Sequence, residues 1–450
     1  MKIRLPVVAS VVVFSVIACV PRDEGIDSDG TWVGTITTEG DVTTVINESG
    51  SVWGGTARLV EETSIGVGAG DDAYMLGRVM SLAARDGRIY VLDNSIPTVR
   101  VYDLAGTHVA DIGRGGNGPG ELGRPREGGP TAIAFDDAGR LYVKASNRIL
   151  IFSAAGEPLD TWTMDRPHGE WGGFGMAITG EPAAILAENP VRCPEYRPWG
   201  CASRILAASG DGTPEDRRQV PDLGYETPRI EVTFDHGHGP EFTGGTPTFV
   251  PELVWTVDAE GGLVVGRADR YEINRYAVAG AAETGPRMVV SKYWEPVPVQ
   301  DDEHDWYLMR DRLQTSFESV TSVGGYDLDD GLPRHKPAFQ RFVAGADGGL
   351  WVVRPGPGEQ RPGCAPPTSE RVEMVMNPCW HDRPIFDVFG ADGRFLGQAE
   401  APEALGAARS LAAMFQTHPF VDERMLLAVI EDESGTIMVK RYRLVLAGGQ

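Results

Sequence analysis

The chain has 450 residues and a formal net charge of −23 at pH 7, from 64 acidic and 41 basic side chains. A strongly negative surface repels phosphate backbones and anionic headgroups, so the composition argues against nucleic acid as a partner and against adsorption on anionic lipid. The 57 glycines and 32 prolines favour a fold rich in turns.

The first residues predict export. Lys2 and Arg4 precede an apolar run from Leu5 to Ile17, which has the length of a signal peptide and is too short to span a bilayer. The run ends in VIAC at residues 16–19, which resembles the lipobox of bacterial lipoproteins. This resemblance implies that residues 1–18 are removed and that a lipidated Cys19 anchors the protein in the bacterial cell envelope, on a periplasmic or cell-surface side. The alternative is an ordinary signal peptide with an incidental cysteine.

The next residues divide into a tether and a folded part. Residues 19–31 are polar, acidic and contain glycine, so we interpret them as a flexible tether that begins at the lipidated Cys19. Residues 32–450 are long enough to bury a large core and form the predicted folded domain.

The folded part contains four cysteines: Cys193, Cys201, Cys364 and Cys379. An even number in an exported chain predicts two disulfides. Three pairings are open, and we favour Cys193–Cys201 and Cys364–Cys379, because each pair lies in a proline-rich stretch that a local bond would constrain. Closing a loop of roughly 15 residues contributes about 3 kcal/mol in the entropy model. A zinc site of all four cysteines is the alternative, which the lack of a C-x-x-C pair disfavours.

A repeated β pattern organises the folded part. Segments 86–109 and 138–159 each contain a glycine turn, an apolar strand, a polar turn, a second strand and another glycine turn. Further copies begin near residues 179, 260, 347 and 433. The turn glycines of the six copies are Gly87, Gly139, Gly180, Gly261, Gly348 and Gly435. Their shortest spacing fits a four-stranded blade of about 40–45 residues, so the pattern predicts an all-β, six-bladed β-propeller with inserted loops.

One short insertion has helical periodicity. In residues 301–317 the side chains of Trp306, Met309, Leu313 and Phe317 fall on one face, below an acidic first turn. The last repeat supplies about two strands before the chain ends, whereas residues 31–48 supply unassigned alternating β segments. We therefore expect these N-terminal strands to complete the last blade and to close the ring.

The best-matched repeat resembles the NHL repeat. Between Ile112 and Leu159, the segment IGRGGNGPGELGRP precedes TAIAFDDAGRLYVKASNRILIFSAAGEPL, as a glycine-rich segment precedes the paired strands in that repeat. The whole chain is similar to largely uncharacterised six-bladed propeller lipoproteins of bacteria. The resemblance implies the architecture and not an activity, because this fold hosts many functions.

The glycine-rich segment also spells G-x-G-x-x-G, with Gly113, Gly115 and Gly118 at the spacing of a dinucleotide-binding loop. Such a loop follows a strand and begins a helix, whose N-terminus faces the pyrophosphate. Here more glycine and proline follow, and then another strand. We therefore interpret the glycines as the crossing from the outer strand of one blade to the inner strand of the next, held by Glu121 and Arg124.

Enzymes on related propellers suggest an alternative function. Gluconolactonase-like propellers hold a divalent cation in the central channel with carboxylate and Asn side chains. In this chain the repeat carboxylates occupy turns, where aspartate commonly accepts hydrogen bonds from backbone N–H groups. These turn residues are Asp86, Asp137, Asp258 and Asp347. We predict no cofactor, with a cation such as calcium in the channel as the alternative.

Propeller lyases instead use histidines near the channel. His236 and His238 would point to one side of a strand and could bind one metal with Asp235 or Glu241. The surrounding glycines and proline favour an exposed loop, so this pair is only a weak metal candidate. We interpret the scattered remaining histidines as surface residues. The sequence contains no G-x-S-x-G motif that would indicate a nucleophilic serine.

Aromatic residues concentrate in the predicted insertions, and we expect about half of them to pack inside the blades and the rest to form a recognition surface. They are Trp162, Trp171, Trp199, Tyr293, Trp294, Trp306, Tyr307 and Trp380. The sequence thus predicts a non-enzymatic lipoprotein that binds a protein, peptide or glycan, without assigned catalytic residues. The alternative is a metal-dependent, lactonase-like hydrolase or lyase with its site at the mouth of the channel.

Overall fold

A computed structural model describes residues 32–446 apart from several segments. The undescribed residues are 126–128, 166–175, 180–183, 189–203, 214, 236–239, 278–284, 316–319, 364–377, 407–418, 423 and 433. Strands dominate the described part, and they form four-stranded antiparallel units that follow one another along the chain. The predicted all-β architecture, with one short helical insertion, is confirmed.

The first five units, called blades 1 to 5, each consist of four strands in sequence order. Blade 1 contains β4 (Val79–Arg85), β5 (Arg88–Asp93), β6 (Thr98–Asp103) and β7 (His108–Ile112). Blade 2 contains β8 (Pro130–Phe135), β9 (Leu141–Ala145), β10 (Arg148–Phe152) and β11 (Pro158–Thr163). Blade 3 contains β12 (Met176–Ile178), β13 (Ala184–Glu188), β14 (Arg204–Ala208) and β15 (Glu215–Gln219). Blade 4 contains β18 (Leu253–Val257), β19 (Leu263–Arg267), β20 (Glu272–Tyr276) and β21 (Met288–Lys292). Blade 5 contains β23 (Arg341–Ala344), β24 (Leu350–Arg354), β27 (Ile385–Phe389) and β28 (Phe395–Glu400).

Blade 6 joins the two ends of the chain. Its first three strands are β29 (Phe420–Val421), β30 (Met425–Glu431) and β31 (Ile437–Leu446), and its outer strand is β3 (Ala57–Ile65). β3 runs antiparallel to β31 from the pair Ala57 and Leu446 to the pair Ile65 and Val439. An N-terminal strand therefore lies in the last blade, but it comes from residues 57–65.

The expectation that residues 31–48 fill this place is wrong. They form a hairpin of β1 (Val33–Glu39) and β2 (Val42–Ser49), and β2 pairs in parallel with β21 of blade 4. Trp32 is buried with the blade 4 and blade 5 side chains and donates to Asn47 Oδ1 at 2.9 Å. The same oxygen accepts from the backbone N–H of Phe395 in blade 5 at 2.7 Å. These contacts hold the hairpin on the outer edge of blade 4.

The core is divided among the contacts between consecutive blades. In the described part of the chain, six clusters of buried apolar side chains each combine residues of two neighbouring blades. One of them packs Leu427 and Val429 of blade 6 against Val91 and Tyr102 of blade 1. Because a single blade buries neither of its faces alone, this last contact completes a closed ring.

The connections divide the ring into two unequal faces. Strands alternate in direction, so the turns within the first and the last strand pair of a blade lie on one side, which we call the turn face. The turns between the second and third strands, and the crossings between blades, lie on the other side, which we call the insertion face. The described insertions all belong to these latter connections. They comprise β16 (Ile230–Asp235), β17 (Pro240–Gly245), α1 (Asp301–Gln314), β22 (Val320–Gly325), β25 (Gly358–Gln360), β26 (Trp380–Asp382) and α2 (Glu403–Gly406).

The repeat glycines mark the turn face in four blades. Gly87, Gly139, Gly261 and Gly348 join the first and second strands of their blades, with φ between 72° and 82°. In this left-handed region glycine avoids the steric cost of a Cβ. Gly435 also has a positive φ of 83°, but it joins the second and third strands of blade 6 on the insertion face. The sixth sequence copy is thus offset by one strand, and Gly180 lies outside the described residues.

Candidate binding site in the central channel and on the insertion face

The first strands of all six blades surround a central channel. β4, β8, β12, β18, β23 and β29 each stand at one end of their sheet, and residues of all six line a cavity of about 730 Å³. Each of these strands therefore has one edge that no other described strand covers. Backbone N–H and C=O groups on such an edge are available to a ligand.

Apolar and aromatic side chains form much of the channel wall. Phe135 of blade 2, Trp255 of blade 4 and Phe420 of blade 6 are half-buried and line the cavity. Smaller apolar side chains, among them Ala84 and Val254, lie between them. The aromatic residues predicted to form recognition surfaces did not include these three, because a strand aromatic is more often a core residue than a channel residue.

Charged groups lie near the two ends of the channel. At the turn face, Arg85 donates to the carbonyl oxygens of Asp136 at 2.6 Å and Asp137 at 3.0 Å, which ties blade 1 to blade 2. At the insertion face, Arg341 is the first residue of β23 and also lines the cavity. Burial lowers the pKa of the Arg341 guanidinium to about 10. It still carries its charge near neutral pH.

Two channel-wall carboxylates are engaged in their own turns. Asp258 Oδ1 accepts from the backbone N–H groups of Gly262 at 2.5 Å and Glu260 at 3.1 Å. Burial raises the pKa of this carboxyl, although these bonds and a nearby arginine oppose the shift. Asp136 accepts from the backbone N–H of Arg140 at 2.8 Å. Desolvation is the largest single influence on its pKa and raises it, but the hydrogen bonds and the charge of Arg140 together outweigh desolvation and lower the pKa. Among the described residues, no three His, Cys, Asp or Glu side chains are grouped to hold a metal.

The glycine-rich segment is a self-contained crossing between blades. It runs from β7 to β8, and no α-helix begins in the part of it that the structure describes, which leaves out residues 126–128. Gly116 and Gly123 exchange backbone hydrogen bonds of 2.9 and 2.7 Å. Glu121 accepts from the Gly118 N–H at 2.8 Å and from Arg114 at 3.0 Å, and these bonds lower its pKa. The described part of the loop folds around its own carboxylate and contains no α-helix of the kind that a pyrophosphate site requires.

A buried ion network holds the insertions together. Lys336 is fully buried; its Nζ lies 2.7 Å from Glu303 of α1 and is also hydrogen-bonded to Asp382 of β26. Burial raises the Asp382 pKa to about 6, although Lys336 acts in the opposite direction. The backbone of Gly358 in β25 approaches closely, since a Cβ there would overlap the Glu303 carboxylate. The helix, the hairpin of β25 and β26 and the segment before β23 are thereby braced against each other.

The buried side of α1 differs from the expected one. Trp306 is buried, but Met309 is 47% exposed, and Phe317 lies outside the described residues. Polar groups are buried instead, namely Glu303, His304 and Asp311. The predicted apolar face is therefore wrong at Met309 and right at Trp306. The helix packs through Trp306, Tyr307 and Leu308 and also through hydrogen bonds and ion pairs that a hydrophobic pattern does not encode.

The structure also shows which of the remaining histidines and aromatic residues are buried and which are exposed. His304 is buried and contacts the backbone of Leu332, so it is not the surface residue that we expected. Trp162 and Trp380 are buried like Trp306, whereas Tyr293 is 77% exposed. Trp171 and Trp199 lie outside the described residues, as do both weak metal candidates, His236 and His238.

A family model matches residues 70–166 of this chain, and its family is described as a 6-bladed beta-propeller. The match covers blades 1 and 2, and the structure supplies four further blades. This chain is a six-bladed β-propeller.

Several solved structures of similar extent are similar to this chain. A protein of Bacteroides fragilis described as exported covers 87% of this chain and 95% of its own, at 10% identity and a TM-score of 0.41. A DUF4221 family member from Bacteroides vulgatus covers 87% and 99%, at 11% identity and 0.45. A catalytically inactive virginiamycin B lyase of Staphylococcus aureus, crystallised with quinupristin, covers 87% and 100%, at 12% identity and 0.38. No curated protein matches this chain.

The predicted anchor and disulfides are only partly within the described residues. Cys379 is buried and disulfide-bonded. Cys19, Cys193, Cys201 and Cys364 lie outside the described residues, so lipidation and the two pairings stay predictions. Among the described residues, no helix is both long and apolar enough to cross a membrane.

Proposed function

We propose that this propeller is a non-enzymatic binding module of the bacterial cell envelope, anchored by a lipid on Cys19, whose insertion face contacts a protein, peptide or glycan. The observation that carries the proposal is the asymmetry of the ring. The described helices, and the strands inserted between the strands of the blades, all lie on one face, whereas tight glycine turns join the first and second strands of four blades on the other. Binding residues commonly lie on loops that a rigid scaffold positions.

Exposed apolar side chains on the insertion face support this proposal. Tyr293 follows the last strand of blade 4 and is 77% exposed, Met309 on α1 is 47% exposed, and Val323 on β22 is 50% exposed. Exposed aromatic and methionine side chains are typical of protein interfaces, where tyrosine is among the residues that contribute most to affinity. The buried network of Lys336 keeps α1 and the neighbouring hairpin fixed, so a partner would meet a preformed surface.

The experiment is partner capture with two matched triple variants. The lipid-free protein is immobilised and used to capture proteins and glycans from envelope extract, with quantitative mass spectrometry and glycan analysis as readouts. Tyr293→Ala, Met309→Ala and Val323→Ser together should weaken the captured interaction at least tenfold, on the order of the loss of one hot-spot residue. Leu104→Ala, Val109→Ala and Leu159→Ala remove exposed apolar groups from the turn-face side and should leave capture unchanged. Equal loss in both variants would contradict the assignment of the insertion face.

The hydrolase or lyase alternative is tested on the same preparation. Elemental analysis of the purified protein should find less than one bound divalent metal ion per chain if the propeller is a binding module. A stoichiometric metal ion that resists dialysis would favour the enzyme.

The anchor has its own test. Cys19→Ala should move the protein from the membrane fraction to the soluble fraction, because the lipid is the only proposed attachment. Val20→Ala, which keeps the cysteine, is the control and should stay with the membrane. Retention of the Cys19→Ala protein on the membrane would refute the anchor.

A further inference from the structure

The hairpin of β1 and β2, which we call the rim hairpin, leaves one edge of β1 open on the outer side of blade 4. β1 pairs with β2 in unbroken register from Gly34 to Glu39, and no other described strand pairs with it. In an antiparallel pair, alternate residues direct both of their backbone groups to the same neighbour. About half of the N–H and C=O groups of β1 therefore point away from β2 and are available to a further strand.

The outer edges of the other blades are protected against such pairing. β7 of blade 1 carries His108 and Asp111. β11 of blade 2 carries Pro158 and Asp160, and β15 of blade 3 has the sequence EDRRQ, with four charged side chains. Each of these three strands pairs with its neighbour through a register shift, and the outer strands of blades 5 and 6, β28 and β3, pair with each other. Charges, proline and irregular register are the means by which natural edge strands resist an additional strand.

β1 carries little of this protection. Its sequence VGTITTE contains no proline and no lysine, its single charge is the last residue, and its one register shift falls at the first. The buried Trp32 and Asn47 hold the rim hairpin on the ring, so the open edge is preformed. Val33 is 48% exposed and Ile46 is 42% exposed, so apolar side chains accompany the edge. An edge of this kind is a site for β-strand addition by another polypeptide.

The charges of the rim hairpin select the partner. Residues 32–57 contain three carboxylates, Glu39, Asp41 and Glu48, and no lysine, arginine or histidine. All three are exposed, and none of them forms an ion pair within the described part of the chain. Glu39 and Asp41 lie at one end of β1 and Glu48 lies beside the other end, about 20 Å away along a strand of this length. A second copy would bring the same carboxylates and the same net charge of −23, whereas a cationic segment would be attracted.

We propose that β1 receives an extended polypeptide segment as an additional strand, and that this segment carries lysine or arginine at both ends and uncharged β-forming residues between them. Backbone hydrogen bonds along β1 hold the segment, and the carboxylates of the rim hairpin pair with its cationic ends. Because carboxylates lie near both ends of β1, the segment can run in either direction. The inference goes beyond the proposed function, because it names a second surface, on the outer rim of blade 4, and the chemistry of its partner.

The test uses matched peptides, acetylated and amidated, on the lipid-free chain. They are Lys-Thr-Val-Thr-Val-Thr-Lys, the same peptide with glutamine at both ends, and the lysine peptide with proline at its centre. Calorimetry gives the affinities, and hydrogen exchange with mass spectrometry locates the binding. The lysine peptide should slow exchange within residues 33–39 roughly tenfold or more and should bind roughly two- to thirtyfold more tightly than the glutamine peptide, the range for two exposed ion pairs. The proline peptide, which cannot complete a strand ladder, should give no such protection.

A triple variant tests the carboxylates. Glu39→Gln, Asp41→Asn and Glu48→Gln together should make the lysine and glutamine peptides bind equally well, because the charge preference is then gone. The control removes three exposed carboxylates beside the outer strands of blades 1 and 2 and should keep the preference: Asp111→Asn, Glu157→Gln and Asp160→Asn. Thermal melts establish that both variants are folded, and the comparison of the three peptides on the unaltered chain decides the question even if a variant is unstable.

The outcomes separate this inference from the proposed function. No protection of residues 33–39 by the lysine peptide at about 5 mM, enough to fill most sites with a Kd near 1 mM, would overturn the added strand. Equal protection by the proline peptide, or equal affinity of the lysine and glutamine peptides, would overturn it as well. A concentration-dependent dimer in sedimentation velocity that protects the same residues would assign the edge to a second copy instead. The dependence of partner capture on Tyr293, Met309 and Val323 decides the proposed function whichever way the peptides behave.

Discussion

Because of Asp382, the insertions should be more stable against local opening in mild acid than at neutral pH. This carboxyl is 18% exposed and lies beside the buried Lys336 and Glu303, and desolvation raises its pKa to about 6 from an ordinary value of 3.8. A carboxyl with a raised pKa binds its proton more strongly in the folded chain than in the unfolded chain. Its contribution to stability is therefore fully present below about pH 4 and is lost as the pH rises through 6.

The size of the effect follows from the shift. Each pKa unit corresponds to 1.36 kcal/mol, so raising the pKa from 3.8 to about 6 contributes about 3 kcal/mol well below pH 3.8, of which about 2.4 kcal/mol is lost between pH 4 and pH 7. Asp382→Asn keeps the shape of the side chain and removes the titration. Lys336 keeps its contact with Glu303 in this variant, at 2.7 Å in the unaltered chain.

The measurement is hydrogen exchange of the hairpin of β25 and β26 between pH 4.5 and pH 7.5, corrected for the intrinsic pH dependence of exchange. Other carboxylates also titrate in this range, so the informative quantity is the difference in opening free energy between the unaltered chain and Asp382→Asn. That difference should change by about 2 kcal/mol between pH 4.5 and pH 7.5. A difference that is constant with pH would refute the argument from burial. Guanidinium unfolding of both proteins shows whether the effect is local to the insertions or extends to the ring.

Three further predictions concern stability and covalent structure. Gly116→Ala should destabilise the crossing from blade 1 to blade 2 by roughly 1–3 kcal/mol in thermal denaturation, because Gly116 has φ of 139° and a Cβ there would overlap the loop carboxylate. The control Gly115→Ala should destabilise the protein much less, because the nearest atom would lie 3.7 Å from its Cβ. Asp387→Ala should lower the free energy of unfolding in guanidinium by about 3–5 kcal/mol, because Lys292 of blade 4 and Arg354 of blade 5 lose the carboxylate that they share. A loss below 1 kcal/mol would contradict this. Mass analysis of non-reduced peptides should link Cys193 to Cys201, and free thiols at these positions would overturn the pairing.

The blades could be predicted from the sequence because their information is local. Strands of β-branched and aromatic residues, joined by turns that require glycine at positive φ, form a pattern that short-range sterics enforce. Gly87, Gly139, Gly261 and Gly348 occupy equivalent turns for this reason. The glycine-rich crossing could likewise be assigned, since a strand follows it.

The pairing of distant segments could not be predicted in the same way. Both N-terminal segments, 33–49 and 57–65, alternate as strands, and the pattern does not say which blade each one joins. The choice is made by contacts far along the chain, where Asn47 bonds to Phe395 of blade 5 and β3 pairs with β31. The buried face of α1 is a similar case, because Glu303 becomes a buried residue only through Lys336.

The sequence by itself determined that this chain is built from repeated β units, and it predicts an export signal in the first residues. The tertiary structure decided which strand closes the ring, which side chains face the channel and which charges are buried. The physical reason is that propensities and turns act over a few residues, whereas the channel exists only after six first strands have met. Arg341, Trp255 and Phe420 belong to three different blades, and only the closed ring brings them to one cavity.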